Sequence, residues 1–190
     1  MAFFIACVIA YYTYAIASAR SSTPEILKLA ESKIAVPIPA SDLTQGRLKL
    51  LLKVQDENFF EHGGTDFTSG RITTITQGLV KFLYFDDFKP GLAKIEQSLL
   101  ASFALDPLAS KEKQLFLFLS LAYMGHYEGQ EIRGFGQASQ IYFGKEFPNI
   151  SDDEYLSLLV MLAAPNGYNI KLEPQINAEK VSELKRSLNI

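Results

Sequence analysis

QDENFFEHGGTD, residues 55–66, places titratable and aromatic side chains beside two glycines. It directly follows the apolar run 48–54, and the apolar positions of residues 41–54 lie near helical spacing and predict a short helix. A second polar run, TTITQG at 73–78, precedes further apolar positions with the spacing of a helix that buries one face. This pattern predicts helices joined by polar, glycine-rich loops, and we expect the chemistry of the chain to lie in those loops.

The bulk composition is that of an ordinary folded domain. The 190 residues are 48% hydrophobic and 21% charged, which suits one domain with a core. The net charge of −3 gives no argument for nucleic-acid binding, which usually shows as a basic face. A single cysteine, Cys7, excludes an internal disulfide, and two histidines are too few for a histidine cluster. The residues themselves therefore predict no metal site.

Residues 1–20 are predicted to be a membrane anchor or a signal segment. No charged side chain occurs from Ala2 to Ala19, and Arg20 ends the run. A spanning helix needs roughly 20 apolar residues, and the tyrosines at 11, 12 and 14 suit a membrane interface. Small-x-small spacing at 15–19 leaves a cleaved signal peptide open, although no basic residue precedes the run. A buried core helix is the third alternative.

The remaining chain is predicted to divide into a linker with one helix, 21–45, and a main domain, 46–190. The helix is expected to begin at Ser22–Glu25, where a proline stands early and an acid lies in the first turn. Few segments alternate with period two, so the main domain is predicted to be mainly α. The glycine-rich stretches 63–70 and 125–136 are expected to be loops.

Local signals predict where three helices of the main domain begin or end. Ser151 and Glu154 have the spacing of a capping box. Gly144 predicts the end of the preceding helix. Asn177 is expected to cap a last amphipathic helix.

The first polar run resembles the first motif of the family 51 glycosyltransferases, the enzymes that polymerise peptidoglycan from lipid II. That motif has the form Glu-Asp-x-x-Phe-x-x-His-x-Gly-x-Asp. The positions that match it are Asp56, Phe59, His62, Gly64 and Asp66. Its first position differs, because Gln55 stands where the family carries its catalytic Glu.

Further motifs extend the resemblance from Leu50 to Asn169. The second motif, Ser-Thr-Ile-Thr-Gln-Gln-Leu-x-Lys, is matched at Thr74, Ile75, Thr76, Gln77, Leu79 and Lys81. The third, Arg-Lys-x-x-Glu before an apolar helix, falls on Ala93, Lys94 and Gln97, so a second amide replaces an acid. The runs QIYFGK at 140–145 and AAPN at 163–166 also match closely. The link between the first two motifs is shorter than the family's.

The resemblance implies a lysozyme-like transglycosylase domain with an N-terminal apolar anchor helix. Such a domain would be a single-pass protein of the bacterial cytoplasmic membrane, with its catalytic-type domain on the outer face. The implied partners are lipid II, the growing glycan strand, the membrane and other cell-wall synthesis proteins, and no transpeptidase domain is expected to follow. A divalent metal near the pyrophosphate is also implied by the resemblance, although the sequence requires no cofactor.

The same resemblance implies roles for nine residues. Gln55 occupies the position of the general base, and Gln97 that of the second acid. The implied substrate-binding residues are Asp56, Phe59, His62, Thr74, Gln77, Lys81 and Lys94. Among these, the two lysines would contact phosphate, while the threonine and the glutamine would donate hydrogen bonds.

The amide of Gln55 leaves two functions open. Glutamine cannot take a hydroxyl proton, and general base catalysis is worth roughly 10²–10⁴-fold. The chain is therefore either an active glycosyltransferase or a catalytically silent module that binds lipid II or a cell-wall partner. An enzyme disabled by a Glu-to-Gln substitution, and another helical membrane protein that shares only the fold, are further alternatives. Structural roles also remain open for His62 in backbone bonding, Asp56 in local pairing, and Phe59 and Phe60 in the core.

Overall fold

A computed structural model describes residues 1–39, 42–68, 73–89 and 91–190, and these residues fold mainly into helices. The prediction of a mainly α protein is confirmed. In chain order the elements are α1 (Ala2–Ser32), α2 (Gln45–Gln55), α3 (Ile75–Leu83), α4 (Leu92–Leu100), a π-helix (Ala101–Leu105), α5 (Lys111–Leu121), β1 (Tyr123–Tyr127), β2 (Gln130–Arg133), α6 (Gly134–Phe143), a 3₁₀ turn (Phe147–Asn149), α7 (Asp152–Met161) and α8 (Pro174–Leu188). Residues 69 and 70 of the predicted loop 63–70 lie outside the described ranges.

The chain forms two compact units. The first comprises Met1–Lys33 and Asp56–Leu117, and the second comprises Ile34–Gln55 and Phe118–Ile190. In the first unit, α1 packs against α3, α4 and the π-helix. Its fully buried core residues include Phe59, Ile75, Leu79, Val80, Ala101, Ala104 and Leu105. These side chains come from the first-motif loop, from α3 and from the π-helix, so both polar motifs are built on one core.

Helix α1 runs without interruption past the predicted helix start at Ser22–Glu25, so that prediction is wrong. Pro24 lies inside the helix, where a proline normally breaks or kinks it. Tertiary packing overrides this preference: Thr23 is fully buried, and its hydroxyl donates to Ala19 O at 2.7 Å and lies 2.7 Å from the hydroxyl of Tyr84. The segments 1–20 and 21–32 are therefore one helix.

By length and composition, α1 qualifies as a membrane-crossing helix within the described residues. Its N-terminal part exposes large apolar side chains, including Phe3, Phe4, Ile5, Val8 and Ile9. Buried residues of α1 lie in its C-terminal part, at Ala19, Thr23 and Ala30. The apolar end of this helix is thus free of the first unit's core, while the other end is part of it.

The second unit surrounds a core of side chains from α2, β2, α6 and α7. Its large, fully buried members include Leu51, Ile132, Phe135, Tyr155 and Leu158. Arg47 is also buried, and its guanidinium lies over the rings of Phe147 and Tyr155 while donating to the carbonyl oxygens of Phe147 and Ile150. Helix α8 packs on α7.

The glycine-rich stretch 125–136 is a β-hairpin in its first part, and not simply the loop that its glycines predicted. Strands β1 and β2 are antiparallel, with His126 opposite Glu131 and Tyr127 opposite Gln130. The two-residue turn consists of Glu128 and Gly129, which both have positive φ. This is the backbone of the hairpin turns whose twist matches that of the strands, and it needs no Asn-Gly sequence to form.

Two of the three predicted helix boundaries are confirmed. Ser151 and Glu154 form a reciprocal capping box at the start of α7, and Gly144 ends α6 in the left-handed region. Asn177 is not a cap, because α8 already begins at Pro174. Its buried amide instead donates to the carbonyl oxygens of Ser157 and Tyr168, so it is a packing residue.

Candidate functional site

The first-motif loop is organised by a buried pair, Asp56 and His62. The Nε2 atom of His62 lies 2.9 Å from Oδ1 and 3.0 Å from Oδ2 of Asp56. The Nδ1 atom accepts the backbone N–H of Gly64 at 3.1 Å, so in the neutral ring the proton is on Nε2 and is donated to the carboxylate. Local pairing of Asp56 and backbone bonding of His62 are thus both present. Both ring nitrogens are engaged within the loop.

The same carboxylate joins the first motif to the second. Oδ2 of Asp56 accepts the backbone N–H of Ile75, the first residue of α3, at 2.8 Å. A carboxylate at a helix N-terminus is favoured by the helix dipole and by the unpaired N–H groups there. Thr74 caps this helix in a capping box with Gln77, and its hydroxyl also donates to Gly64 O at 2.7 Å. The two motifs therefore form one hydrogen-bonded structure.

The side-chain amides of Gln77 and Gln97 connect α3 to α4. The side chain of Gln77 donates to Ser98 Oγ at 2.9 Å, and the side chain of Gln97 donates to the Gln77 carbonyl oxygen at 2.6 Å. Gln97 is only 1% exposed, and its Oε1 is buried without a hydrogen-bond partner among the described residues. Gln97 is thus a packing residue between two helices in this structure.

Among the described residues, Lys81 and Lys94 bring positive charge to the candidate site. The amine of Lys94 donates to Thr73 Oγ1 at 2.8 Å, and the amine of Lys81 lies 5.5 Å from the ring centre of Phe88. Partial burial, and next the nearby charge of Lys81, lower the pKa of the Lys94 amine. In the part of the chain that the structure describes, neither lysine forms a salt bridge with a carboxylate. Two cations that have no carboxylate partner among the described residues suit a multiply charged anion.

The aromatic residues of the first motif differ in exposure. Phe59 has no exposed surface, and the amine of Lys111 lies 4.8 Å from its ring centre. Phe60 is 49% exposed, so the prediction that it belongs to the core is wrong. Phe59 packs in the core, whereas the side chain of the next residue is directed toward solvent.

Gln55 is the predicted site residue that belongs to the second unit, while the other eight lie in the first. It is the last residue of α2 and is half-buried. Its side chain lines an open groove of about 460 Å³, together with residues that include Leu159 of α7, Leu184 of α8 and Tyr168 between the two helices. The groove is mainly apolar, with the ion pair of Lys180 and Glu183 at its wall.

The candidate site does not fit the divalent metal that the resemblance implies. Among the described residues, its polar side chains are mainly ammonium, amide and hydroxyl groups, and Asp56, the one buried carboxylate among them, is already bonded to His62 and to Ile75. Over residues 1–39, 42–68, 73–89 and 91–190, three or more His, Cys, Asp or Glu side chains nowhere come together to hold a metal ion. Hard cations prefer several oxygen ligands, which this set does not offer.

The sequence motifs did not indicate a hydrogen-bonded network around Gln114 and Asp106. Gln114 Oε1 accepts the hydroxyl of the fully buried Thr76 at 2.6 Å, and Gln114 Nε2 donates to Asp106 Oδ1 at 3.0 Å. Lys111 donates to the same carboxylate at 2.6 Å. The available signal was a polar residue, Gln114, at the start of a nearly all-apolar helix, which predicts a buried hydrogen-bond partner.

Residues 69–188 match the family model described as "Transglycosylase". This range contains the second and third motifs and begins after the first. Among curated proteins, the chain is similar to penicillin-binding protein 1B of Buchnera aphidicola subsp. Acyrthosiphon pisum (strain APS), with 30% identity over 166 residues covering 80% of the chain and 22% of the relative. It is also 29% identical to penicillin-binding protein 1B of Escherichia coli (strain K12), over 80% of the chain and 20% of the relative.

A relative from Bacillus subtilis (strain 168), penicillin-binding protein 1F, is 27% identical over 80% of the chain and 23% of its own length. The chain thus spans about a fifth of the length of the curated relatives it matches. This similarity covers most of the chain, and therefore parts of both units.

Proposed function

Because the chain belongs to the transglycosylase family, we propose that it is a membrane-anchored domain of the peptidoglycan glycosyltransferase type that binds lipid II. Membership of the family confirms the predicted resemblance and the lysozyme-like, mainly α fold class. The ligand of this chain, its location and its catalytic activity are proposed here. The growing glycan strand and other cell-wall synthesis proteins are its proposed further partners.

The observation that carries the lipid II proposal is the pair of Lys81 and Lys94. Partial burial, and next the charge of Lys81, lower the pKa of the Lys94 amine, and neither lysine is neutralised by a carboxylate within the described residues. Thr73 presents a hydroxyl to Lys94, just before the capped N-terminus of α3. A pyrophosphate linked to a lipid carries closely spaced negative charges, which two ammonium groups and hydroxyl donors can bind.

The proposed anchor is α1, retained in the mature protein. Cleavage at the small residues 15–19 would cut inside one continuous helix and next to Ala19, which is buried in the first unit. Arg20, just after the apolar run, donates to Phe103 O at 2.5 Å. The mass of the protein recovered from membranes tests this proposal: the full chain is expected, and a form lacking residues 1–19 would contradict it.

The proposed topology is a single pass with the folded units on the outer face of the bacterial cytoplasmic membrane. Cys7 is the chain's one cysteine, so a Cys7→Ser variant carrying Lys49→Cys reports on the exposed surface of the second unit. A membrane-impermeant maleimide added to intact spheroplasts is expected to label this variant. Labelling only after lysis would contradict the orientation.

A catalytically silent binding module is the second candidate, and the geometry of Gln97 favours it. Its amide N–H donates to a backbone carbonyl oxygen that a carboxylate could not bond, so the fold accommodates an amide at the second acidic position. Gln55 at the first acidic position lacks the basicity of a general base. The two amides together support binding without turnover.

Binding of fluorescent lipid II to the full chain in detergent micelles tests the ligand. Loss of one charge-assisted contact is worth about tenfold in affinity, so Lys81→Met and Lys94→Met are each expected to weaken binding by that amount. Lys49→Met, which changes an exposed lysine in the second unit, serves as the control. Equal affinity in all three variants, or no binding by the unaltered chain, would refute the proposal.

Glycan polymer formation from lipid II separates the two candidates. The unaltered chain is expected to bind lipid II without forming polymer. If Gln55→Glu then forms polymer, the chain is an enzyme disabled at one position. If it does not, the chain is a binding module, and polymer formed by the unaltered chain would overturn the silent candidate.

A further inference from the structure

The π-helix Ala101–Leu105 follows α4 without a break. The backbone N–H of Asp106 donates to Ala101 O at 3.0 Å, five residues back, where an α-helix would use Ser102 O. Short π-helical segments are rare and occur frequently at functional sites. We therefore expect the contacts of this segment to have a functional reason.

One face of the π-helix is tied to α1. In an α-helix the carbonyl oxygen of Phe103 would accept the N–H of residue 107, but Pro107 has no N–H. Arg20 of α1 supplies a donor instead, with Nη1 at 2.5 Å from Phe103 O. A charged donor makes a stronger hydrogen bond than a neutral one. The proline frees a carbonyl oxygen, and the arginine uses it to join the two helices.

The π-helix also contacts the first-motif loop. Thr65 Oγ1 lies 3.0 Å from Ser102 Oγ, within hydrogen-bond distance. Gly64 is buried with φ of +91°, and a Cβ at that position would lie 2.5 Å from Ala101 O. Such a distance is a severe clash with the backbone, so the loop can rest on the π-helix only through a glycine.

We propose that the π-helix positions the first-motif loop, with Ser102 and Arg20 as its positioning residues. Ser102 holds the loop directly through Thr65, and Arg20 holds the π-helical backbone from α1. A shift of the π-helix would also affect the candidate site, because the carbonyl oxygen of Gly64 accepts a hydrogen bond from the hydroxyl of Thr74, the cap of α3. The proposal rests on the proposed function only for the identity of the ligand whose site is positioned.

This arrangement gives α1 a role beyond anchoring. The guanidinium that follows the apolar segment is bonded to the helix on which the site loop rests. Displacement of α1 would therefore release Phe103 O and loosen the support of the loop. We expect the order of residues 56–66 to depend on a residue, Arg20, that lies far from them in sequence.

Amide hydrogen exchange of the full chain in detergent micelles tests the proposal without any ligand. Ser102→Ala and Arg20→Gln are each expected to speed exchange in peptides covering residues 56–66 by about fivefold, the effect of losing one hydrogen bond. Ser102→Thr retains the hydroxyl and is expected to restore slow exchange. Matched controls are Ser182→Ala and Arg186→Gln on α8, where each side chain bonds a carbonyl one turn back in the same helix.

Unchanged exchange in residues 56–66 for both Ser102→Ala and Arg20→Gln would overturn the proposal. Equal acceleration in peptides of the second unit would also overturn it, because it would indicate general destabilisation. In a second measurement, the affinity for lipid II is expected to fall severalfold in Ser102→Ala and to recover in Ser102→Thr. If the unaltered chain binds no lipid II, the proposed function fails, while the exchange measurement still decides the role of the π-helix.

Discussion

The side-chain amide of Gln97 donates a hydrogen bond to the backbone carbonyl oxygen of Gln77 at 2.6 Å. This contact joins α4 to α3 inside the first unit, at a residue that is almost completely buried. A carboxylate has no hydrogen to donate at neutral pH, so it could not make the same contact. The amide at this position is therefore part of the packing that holds the two helices together.

Gln97→Glu is expected to destabilise the protein. The substitution would remove the donor and place a buried negative charge beside a carbonyl oxygen, at a cost of about 3 kcal/mol in the free energy of unfolding. Urea unfolding in detergent micelles measures this difference. Gln140→Glu makes the same chemical change at an exposed position of α6 and is expected to leave stability nearly unaltered. Equal stability of the two variants would show that position 97 accepts an acid.

Asp56→Asn is expected to weaken the junction of the two motifs. Both carboxylate oxygens of Asp56 accept hydrogen bonds, from His62 and from Ile75 N. An asparagine would turn an N–H group toward one of these donors, at a cost of about 2 kcal/mol in the free energy of unfolding. Asp86→Asn, at an exposed position in the same unit, is the control. A loss no larger than that of the control would contradict the prediction.

Gly64→Ala compared with Gly129→Ala separates backbone strain from steric clash. Both glycines have positive φ, but a Cβ at 129 would meet no atom within 4 Å, whereas a Cβ at 64 would meet the backbone of the π-helix. We expect a cost of about 1 kcal/mol at 129 from strain alone, and at least about 3 kcal/mol at 64. Thermal or urea unfolding measures both. Similar losses would mean that the loop can move away from the π-helix.

Deprotonation of Lys94 is expected to make the free energy of unfolding depend on pH in the alkaline range. Its amine has a pKa below the ordinary 10.5 because of burial and because of the charge of Lys81. Between the two pKa values the unfolded chain binds more protons, so the free energy of unfolding rises as the pH increases toward 10.5. That contribution is lost again as the pH falls through the folded-state pKa.

Unfolding of Lys94→Met measured from neutral pH to 10.5 is expected to lack this rise. The Lys49→Met control should follow the unaltered chain, since Lys49 is exposed and in the second unit. Parallel curves for Lys94→Met and the unaltered chain would show that the amine is as well solvated in the folded protein as in the unfolded one.

The helix boundaries show which local sequence signals are enough to predict where a helix begins or ends. The capping box of Ser151 with Glu154 and the stop at Gly144 were predictable because the atoms involved lie within a few residues of one another. Asn177 had a suitable side chain for a cap, but its partners are the carbonyl oxygens of Ser157 and Tyr168. No pattern in the neighbouring residues could have indicated these distant acceptors.

The sequence by itself determined the family and most of the helices, since ordered motif letters and apolar spacing are properties of neighbouring residues. Only the tertiary structure decided that α1 continues through Pro24, that Asp56 and His62 are bonded to each other and that Gln97 is buried. These outcomes depend on long-range partners such as Tyr84 for Thr23 and Gln77 for Gln97. Local preferences are worth up to about 1 kcal/mol for most residues and about 3 kcal/mol for a proline within a helix, so packing between distant segments can override them.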